Sequence, residues 1–185
     1  MAETVLITGA TSAIGSALAR EYAAPGVTLY LHGRNAQRLQ EVAAACQVQG
    51  AQVVTTRLDV RDFTALRAWL EALEPLDLVI INAGMNTHIG PHGEPEPWDE
   101  VEALLDVNLK AAMVIAHAVL PAMRAPASKM RRSPKTTRRA AARISSSPSN
   151  LAVSSGLIPA GSPIARARIG RDAPVAQAFV FKAAS

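Results

Sequence analysis

The chain has 185 residues, 49% of them hydrophobic and only 4% aromatic, with a formal net charge of +4. That length fits one domain with a core packed mainly by Ala, Val, Leu and Ile, and the apolar content excludes wholesale disorder. The charge is divided: residues 1–123 hold 7 Lys+Arg against 14 Asp+Glu, whereas residues 124–185 hold 12 Lys+Arg and the single acid Asp172. The lone cysteine, Cys46, makes no internal disulfide and favours a reducing compartment. The N-terminus carries an acid and no basic region, unlike a signal peptide. No apolar run approaches the roughly 18 residues a membrane span needs. A soluble, cytoplasmic protein with no membrane partner is expected.

In chain order, residues 4–8 read as a buried strand and 13–24 as a helix. Residues 27–32 are a second strand with 35–48 as its helix, and 52–58 a third with 62–73 as its helix. Residues 76–82 (Leu-Asp-Leu-Val-Ile-Ile-Asn) form a fourth strand, and 98–123 have helical spacing, with Leu105, Leu109, Met113, Ala116 and Leu120 on one face. Strands separated by helices of this length imply βαβ units, right-handed crossovers and a parallel sheet covered on both faces. The expected class is α/β, a Rossmann-type doubly wound sheet over residues 1–123.

Beyond residue 123 that order stops. Residues 124–143 carry eight Lys+Arg and no acid, 144–150 are Ser-rich, and six prolines interrupt residues 126–174. Short apolar runs at 151–153 and 178–181 are the only strand candidates there. Residues 124–185 are thus expected to be an irregular basic tail, read either as disordered or as the product of a reading-frame slip near codon 124. If neither run pairs with the fourth strand, an open apolar edge should make the chain poorly soluble, with residues 124–150 protease-sensitive. A basic tail also suits nucleic acid, but this one has no aromatic residue before Phe179 to stack on bases, which ranks that partner last.

The chemistry-bearing pattern begins at Thr8-Gly9-Ala10-Thr11-Ser12-Ala13-Ile14-Gly15, between the first strand and first helix. Gly9 permits a tight turn and Gly15 lets the helix approach the strand, so that the helix-opening amides can face a pyrophosphate. Leu58-Asp59-Val60 and Asn82-Ala83-Gly84 end the third and fourth strands at the same carboxyl edge, where open α/β sheets bind ligands. With Asn108 in Asp106-Val107-Asn108-Leu109, this order and spacing resembles the short-chain dehydrogenase/reductase family over roughly residues 3–123.

The resemblance implies that Gly9, Ser12, Ile14 and Gly15 hold the phosphates and adenosine ribose. It implies that Asp59 and Val60 flank adenine, and that Asn82, Ala83 and Gly84 line the nicotinamide-side ribose. Ala13 departs from the family, which usually has its middle glycine there; a methyl is tolerable where φ is negative. An acid at the end of the second strand would bind free ribose hydroxyls and repel a 2′-phosphate. Here the residues are His32-Gly33-Arg34-Asn35, so Arg34 is expected to pair with a 2′-phosphate and NADP(H) to be the cofactor. The alternative for Arg34 is a solvated arginine at a helix start.

The resemblance also implies a Tyr whose pKa is lowered by a Lys four residues later, a Ser that orients a substrate carbonyl, and a supporting Asn. Asn108 matches the Asn; helix capping or bending is its alternative role. Tyr22 and Tyr30 lie too early in the chain, and where the Tyr is expected, residues 146–152, the chain reads Ser-Ser-Pro-Ser-Asn-Leu-Ala. His88, His92 and His117 read as loop or helix-surface residues, and Gly90, Pro91 and Gly93 prevent a helical His-x3-His metal site. The leading expectation is an NADP-dependent oxidoreductase acting on a small carbonyl or alcohol, impaired in this chain and shorter than its family. A non-catalytic NADP-binding module comes second. A homo-oligomer through helix 107–123 is open, since its apolar face could equally pack on the sheet.

Overall fold

A computed structural model describes residues 3–87, 95–124 and 179–182. Strands β1 (Glu3–Thr8), β2 (Val27–Gly33), β3 (Gln52–Arg57) and β4 (Leu78–Ile81) alternate with helices α1 (Ala13–Tyr22), α2 (Ala36–Val48) and α3 (Phe63–Glu71). Helix α4 (Trp98–Leu105), a π-helical turn (Asp106–Lys110) and α5 (Ala111–Arg124) follow without a break, and β5 (Phe179–Lys182) completes the sheet. The strand order is β3-β2-β1-β4-β5. The first four strands are parallel, with Leu6 opposite Tyr30 and Val79 in the central register. The α/β Rossmann-type reading holds, and the order reverses beside β1, which places a ligand crevice at the carboxyl ends of β1 and β4.

Both sheet faces are covered, which is why the strands read as continuous apolar runs. Val5, Ile7, Leu29, Leu31 and Ile80 pack under α1 and α2 with Leu18, Leu39, Val42 and Cys46. On the opposite face Leu6, Tyr30, Val79 and Ile81 pack with Leu66 and Leu70 of α3 and Ile115 and Val119 of α5. Each such Leu or Ile contributes roughly 1.5–3 kcal/mol when fully buried. Helix starts follow their caps: Ser12, Asn35 and Asp62 accept from the amides of Gly15, Arg38 and Ala65.

Three expectations need correction. The stripe Leu105, Leu109, Met113, Ala116 and Leu120 does not share one environment: Leu105, Leu109 and Met113 are 45%, 55% and 64% exposed, Ala116 and Leu120 are half-buried against the core, and Val107, Ala111, Ile115 and Val119 are buried. This helical stretch is apolar nearly all round, so spacing alone selects no face, and the π turn adds a residue that breaks the register across it. Trp98–Met123 is also, by length and composition, apolar enough to cross a membrane. Within it, Val107, Ala111, Ile115 and Val119 pack against the sheet and α3, whereas α4 has no buried residue.

The third correction concerns the edge of β4. It is paired antiparallel by β5, Leu78 opposite Lys182 and Ile81 opposite Phe179. The run at 178–181 therefore supplies a strand, and the premise of an open edge fails. The candidate at 151–153 and the expectations for residues 125–178 lie outside the described residues.

Candidate functional site

The carboxyl ends of β1, β2, β3 and β4 surround an open cavity of about 230 Å³. Gly9, Thr11 and Ser12 line it from the first turn, and His32, Gly33, Arg34 and Arg38 from the end of β2 and start of α2. Asp59 and Val60 follow β3, Ala83, Gly84 and Met85 follow β4, and Val107 comes from the π turn. Seven residues expected from sequence thus meet here: Gly9, Ser12, Arg34, Asp59, Val60, Ala83 and Gly84. Ile14, Gly15, Asn82 and Asn108 are not among its lining residues; Ile14 packs against the core under α1 and α2.

Gly9 adopts φ 66°, and a Cβ there would lie 2.8 Å from the Ala83 Cα. A Cβ on Gly15 would collide with the Gly9 carbonyl oxygen. Both glycines are required by the closeness of β1, α1 and the end of β4. Ala13, the departure from the family pattern, is the exposed first residue of α1, where its methyl meets no conformational penalty. Ser12 caps α1 through Gly15, leaving the amides of Ala13 and Ile14 without intrahelical acceptors at the cavity side of the turn. That opening, with its helix dipole, fits a pyrophosphate.

Asn82 was expected on a ribose, but its side chain is buried and turned into the glycine turn. Its Nδ2 lies 3.1 Å from the carbonyl oxygens of Thr8 and Gly9 and 3.2 Å from Ser12 Oγ. Thr8 Oγ1 accepts from the Asn82 and Ala83 amides, each at 3.1 Å. Asn82 therefore staples β4 to the turn. Asn108 plays a similar part on the other side: its Oδ1 accepts from the Met85 amide and its Nδ2 donates to the Met85 carbonyl, both at 2.8 Å. Asn108 sits within the π turn Asp106–Lys110.

The β2–β3 end of the cavity is charged. A Cβ at Gly33 would lie 2.6 Å from Thr11 Cγ2, so a side chain fits there only if Thr11 moves. The exposed Arg34 and Arg38 follow, and Arg57 Nε donates to the Arg34 carbonyl at 3.3 Å. Asp59 is held by Arg61, with Arg61 Nη2 at 2.7 Å from Oδ2 and the Arg61 amide at 3.0 Å from Oδ1. The side-chain hydrogen bonds from Arg61 hold the Asp59 carboxyl down at about 2.

His32 is buried at 2% exposure. Its Nε2 lies 2.9 Å from the Leu58 carbonyl oxygen, and the Gly9 amide donates to Nδ1 at 3.4 Å. The ring rests on Trp69 of α3, centroids 5.4 Å apart. Burial pushes the imidazole below its usual value, against the opposing effect of the Leu58 carbonyl.

Sequence reasoning missed His32, Thr11, Arg38, Met85 and Val107. The rule that ligands meet the carboxyl ends of strands would have pointed to His32. Arg38, four residues after Arg34, shares its helix-start surroundings. Neither tyrosine lines the cavity: Tyr30 lies in the core under α3, and Tyr22 ends α1. His117 is exposed on α5, and His88 and His92 lie outside the described residues.

Residues 3–131 match the family model described as short chain dehydrogenase. The chain belongs to the short-chain dehydrogenase/reductase family. A 3-dehydrosphinganine reductase (TSC10B) of Arabidopsis thaliana is 35% identical over 122 residues, which cover 65% of this chain and 36% of that protein. An NAD+-bound xylitol dehydrogenase is similar in structure with a TM-score of 0.61 and 25% identity, over 66% of this chain and 48% of that one. A metagenomic short-chain oxidoreductase in complex with NADP has a TM-score of 0.59 and 28% identity, over 66% and 57%. The chain spans about half or less of the length of the curated relatives it matches first.

Proposed function

We propose that this short-chain dehydrogenase/reductase chain binds NADP(H) in the β1–β4 crevice and serves hydride exchange with a small carbonyl or alcohol. Arg34 and Arg38 on the cavity rim, with no acid at Gly33, carry the cofactor choice. Arg34 would hold the 2′-phosphate through charge-assisted bonds and Arg38 would add a second cation. The turn from Gly9 to Gly15 would hold the pyrophosphate, Asp59 and Val60 the adenine, and Ala83 and Gly84 the second ribose. When bound, the cofactor supplies or accepts the hydride.

Chemistry at the substrate carbonyl needs a proton donor that this chain does not provide in the family's form. Neither Tyr22 nor Tyr30 is followed by Lys at the fourth position. We therefore take transfer to be impaired in the chain as it stands. The same fact makes a non-catalytic NADP-binding module the second reading. The exposed stripe Leu105, Leu109 and Met113 supports association with a second copy.

Titration of NADPH and NADH into the full chain, by fluorescence or calorimetry, tests the cofactor assignment. NADPH should bind more tightly, and Arg34→Ala should weaken NADPH by roughly 1–3 kcal/mol while leaving NADH nearly unchanged. Equal affinity for the two cofactors refutes it.

A further inference from the structure

A carbonyl oxygen can only accept, so the 2.9 Å contact to Leu58 requires a proton on His32 Nε2. The Gly9 amide can only donate, so Nδ1 must be bare to receive it. The geometry thus fixes a neutral ring in a single tautomer. The same residue holds the turn at a second point, for its main-chain oxygen accepts from the Ala10 amide at 2.8 Å. Protonation would set an Nδ1–H against the Gly9 N–H, two donors with no acceptor between them.

We propose that His32 is a positioning residue for cofactor binding, holding the glycine turn closed only while its ring is neutral, so that acidification loosens the grip on the dinucleotide. The inference rests on the dinucleotide-binding reading of this crevice. The charged groups bearing on the ring oppose each other: Asp59 after β3 favours the cation and Arg34 after β2 disfavours it. From α3 it meets the uncharged Trp69, and from the turn and β3 only main-chain groups.

The test compares NADP+ affinity from about pH 8 to pH 5 for the wild-type chain and for His32→Asn. The variant keeps an acceptor near the Nδ1 position and does not titrate. The 2′-phosphate ionises near pH 6 in both cases, so the difference between the two profiles reports the histidine. The wild type should lose about three- to tenfold more affinity on acidification than the variant, the scale of one hydrogen bond.

A second measurement needs neither variant nor cofactor. In the nitrogen-15-labelled full chain, the Gly9 amide resonance should shift with the same midpoint as the His32 ring. Parallel pH profiles for the two proteins, or a Gly9 amide that stays still while the ring titrates, overturn the proposal. If NADP+ binds at no pH, the cofactor reading fails and the Gly9 titration alone decides the role of His32.

Discussion

The two ends of the cavity differ in kind. At the β2–β3 end, Arg34, Arg38 and the Arg61-bound Asp59 present fixed charge. At the β4 end, the lining residues Ala83, Gly84, Met85 and Val107 carry no titratable side chain, and the wall is fixed by Asn108 holding the Met85 backbone. Recognising a charged nucleotide needs cations at the end of one βα unit, and a local run of sequence supplies them. Moving a proton to a substrate needs a tuned acid aimed at a reacting atom. Among the described residues, the lining of the cavity supplies groups that can hold a charged nucleotide.

The largest effect bears directly on that contrast. A panel of carbonyl substrates with NADPH should show turnover about 10²–10⁴-fold below that of a family member with its acid in place, the usual worth of general acid–base catalysis. NADPH oxidation at ordinary enzyme rates would break the contrast and require a proton donor at the β4 end. Next in size is Gly15→Ala, whose Cβ would collide with the Gly9 carbonyl. Overpacking of this kind costs about 1–3 kcal/mol, so thermal unfolding should come earlier and NADPH and NADH binding should fall together.

Asn108→Ala separates the ends more finely. Losing both bonds to Met85 should cost about 1–3 kcal/mol in a denaturant titration, while NADPH affinity, set at the far end, changes little. A large loss of affinity would mean that the two ends act as one unit.

The smallest effect is at Asp59. Its carboxyl sits at about 2 in the folded chain against an ordinary 3.8, so the folded state binds fewer protons between those values. The stabilisation is fully present above about pH 4 and is lost as pH falls towards 2. Because both partners are a third or more exposed, Arg61→Ala should lower stability at neutral pH by under about 1 kcal/mol. It should also flatten the acid limb of the stability curve.

What was legible in the sequence follows from the same physics. Strands buried on both faces must be apolar throughout, so the run 76–82 was read as the fourth strand, and the helices read at 13–24, 35–48 and 62–73 begin within one residue of their observed starts Ala13, Ala36 and Phe63. Gly9 and Gly15 were legible because only a missing Cβ permits their contacts. The destination of Asn82 was not, because its three acceptors come from residues 8, 9 and 12, seventy or more positions away. His32 was hidden for the same reason, as its partners Leu58, Gly9 and Trp69 converge only in the folded sheet. Which face of the helix at 98–123 packs on the sheet was left open by its periodicity, and the π turn at Asp106–Lys110 changes the register that periodicity relies on.

The antiparallel pairing of β4 with β5 has a consequence for the order of folding. Strands β1 to β4 are joined by short crossovers, whereas Ile81 and Phe179 meet across about a hundred residues. Four residue pairs hold β5 against β4 at this sequence separation, and contacts of such long range form late. The parallel sheet can therefore assemble first, with β5 docking as a late and reversible step. In native-state hydrogen exchange its amides should open before those at the centre of the sheet. For as long as β5 is detached, β4 presents a bare edge of Leu78, Val79, Ile80 and Ile81. The window in which this chain can be captured by another strand is then set by how often that last strand lets go.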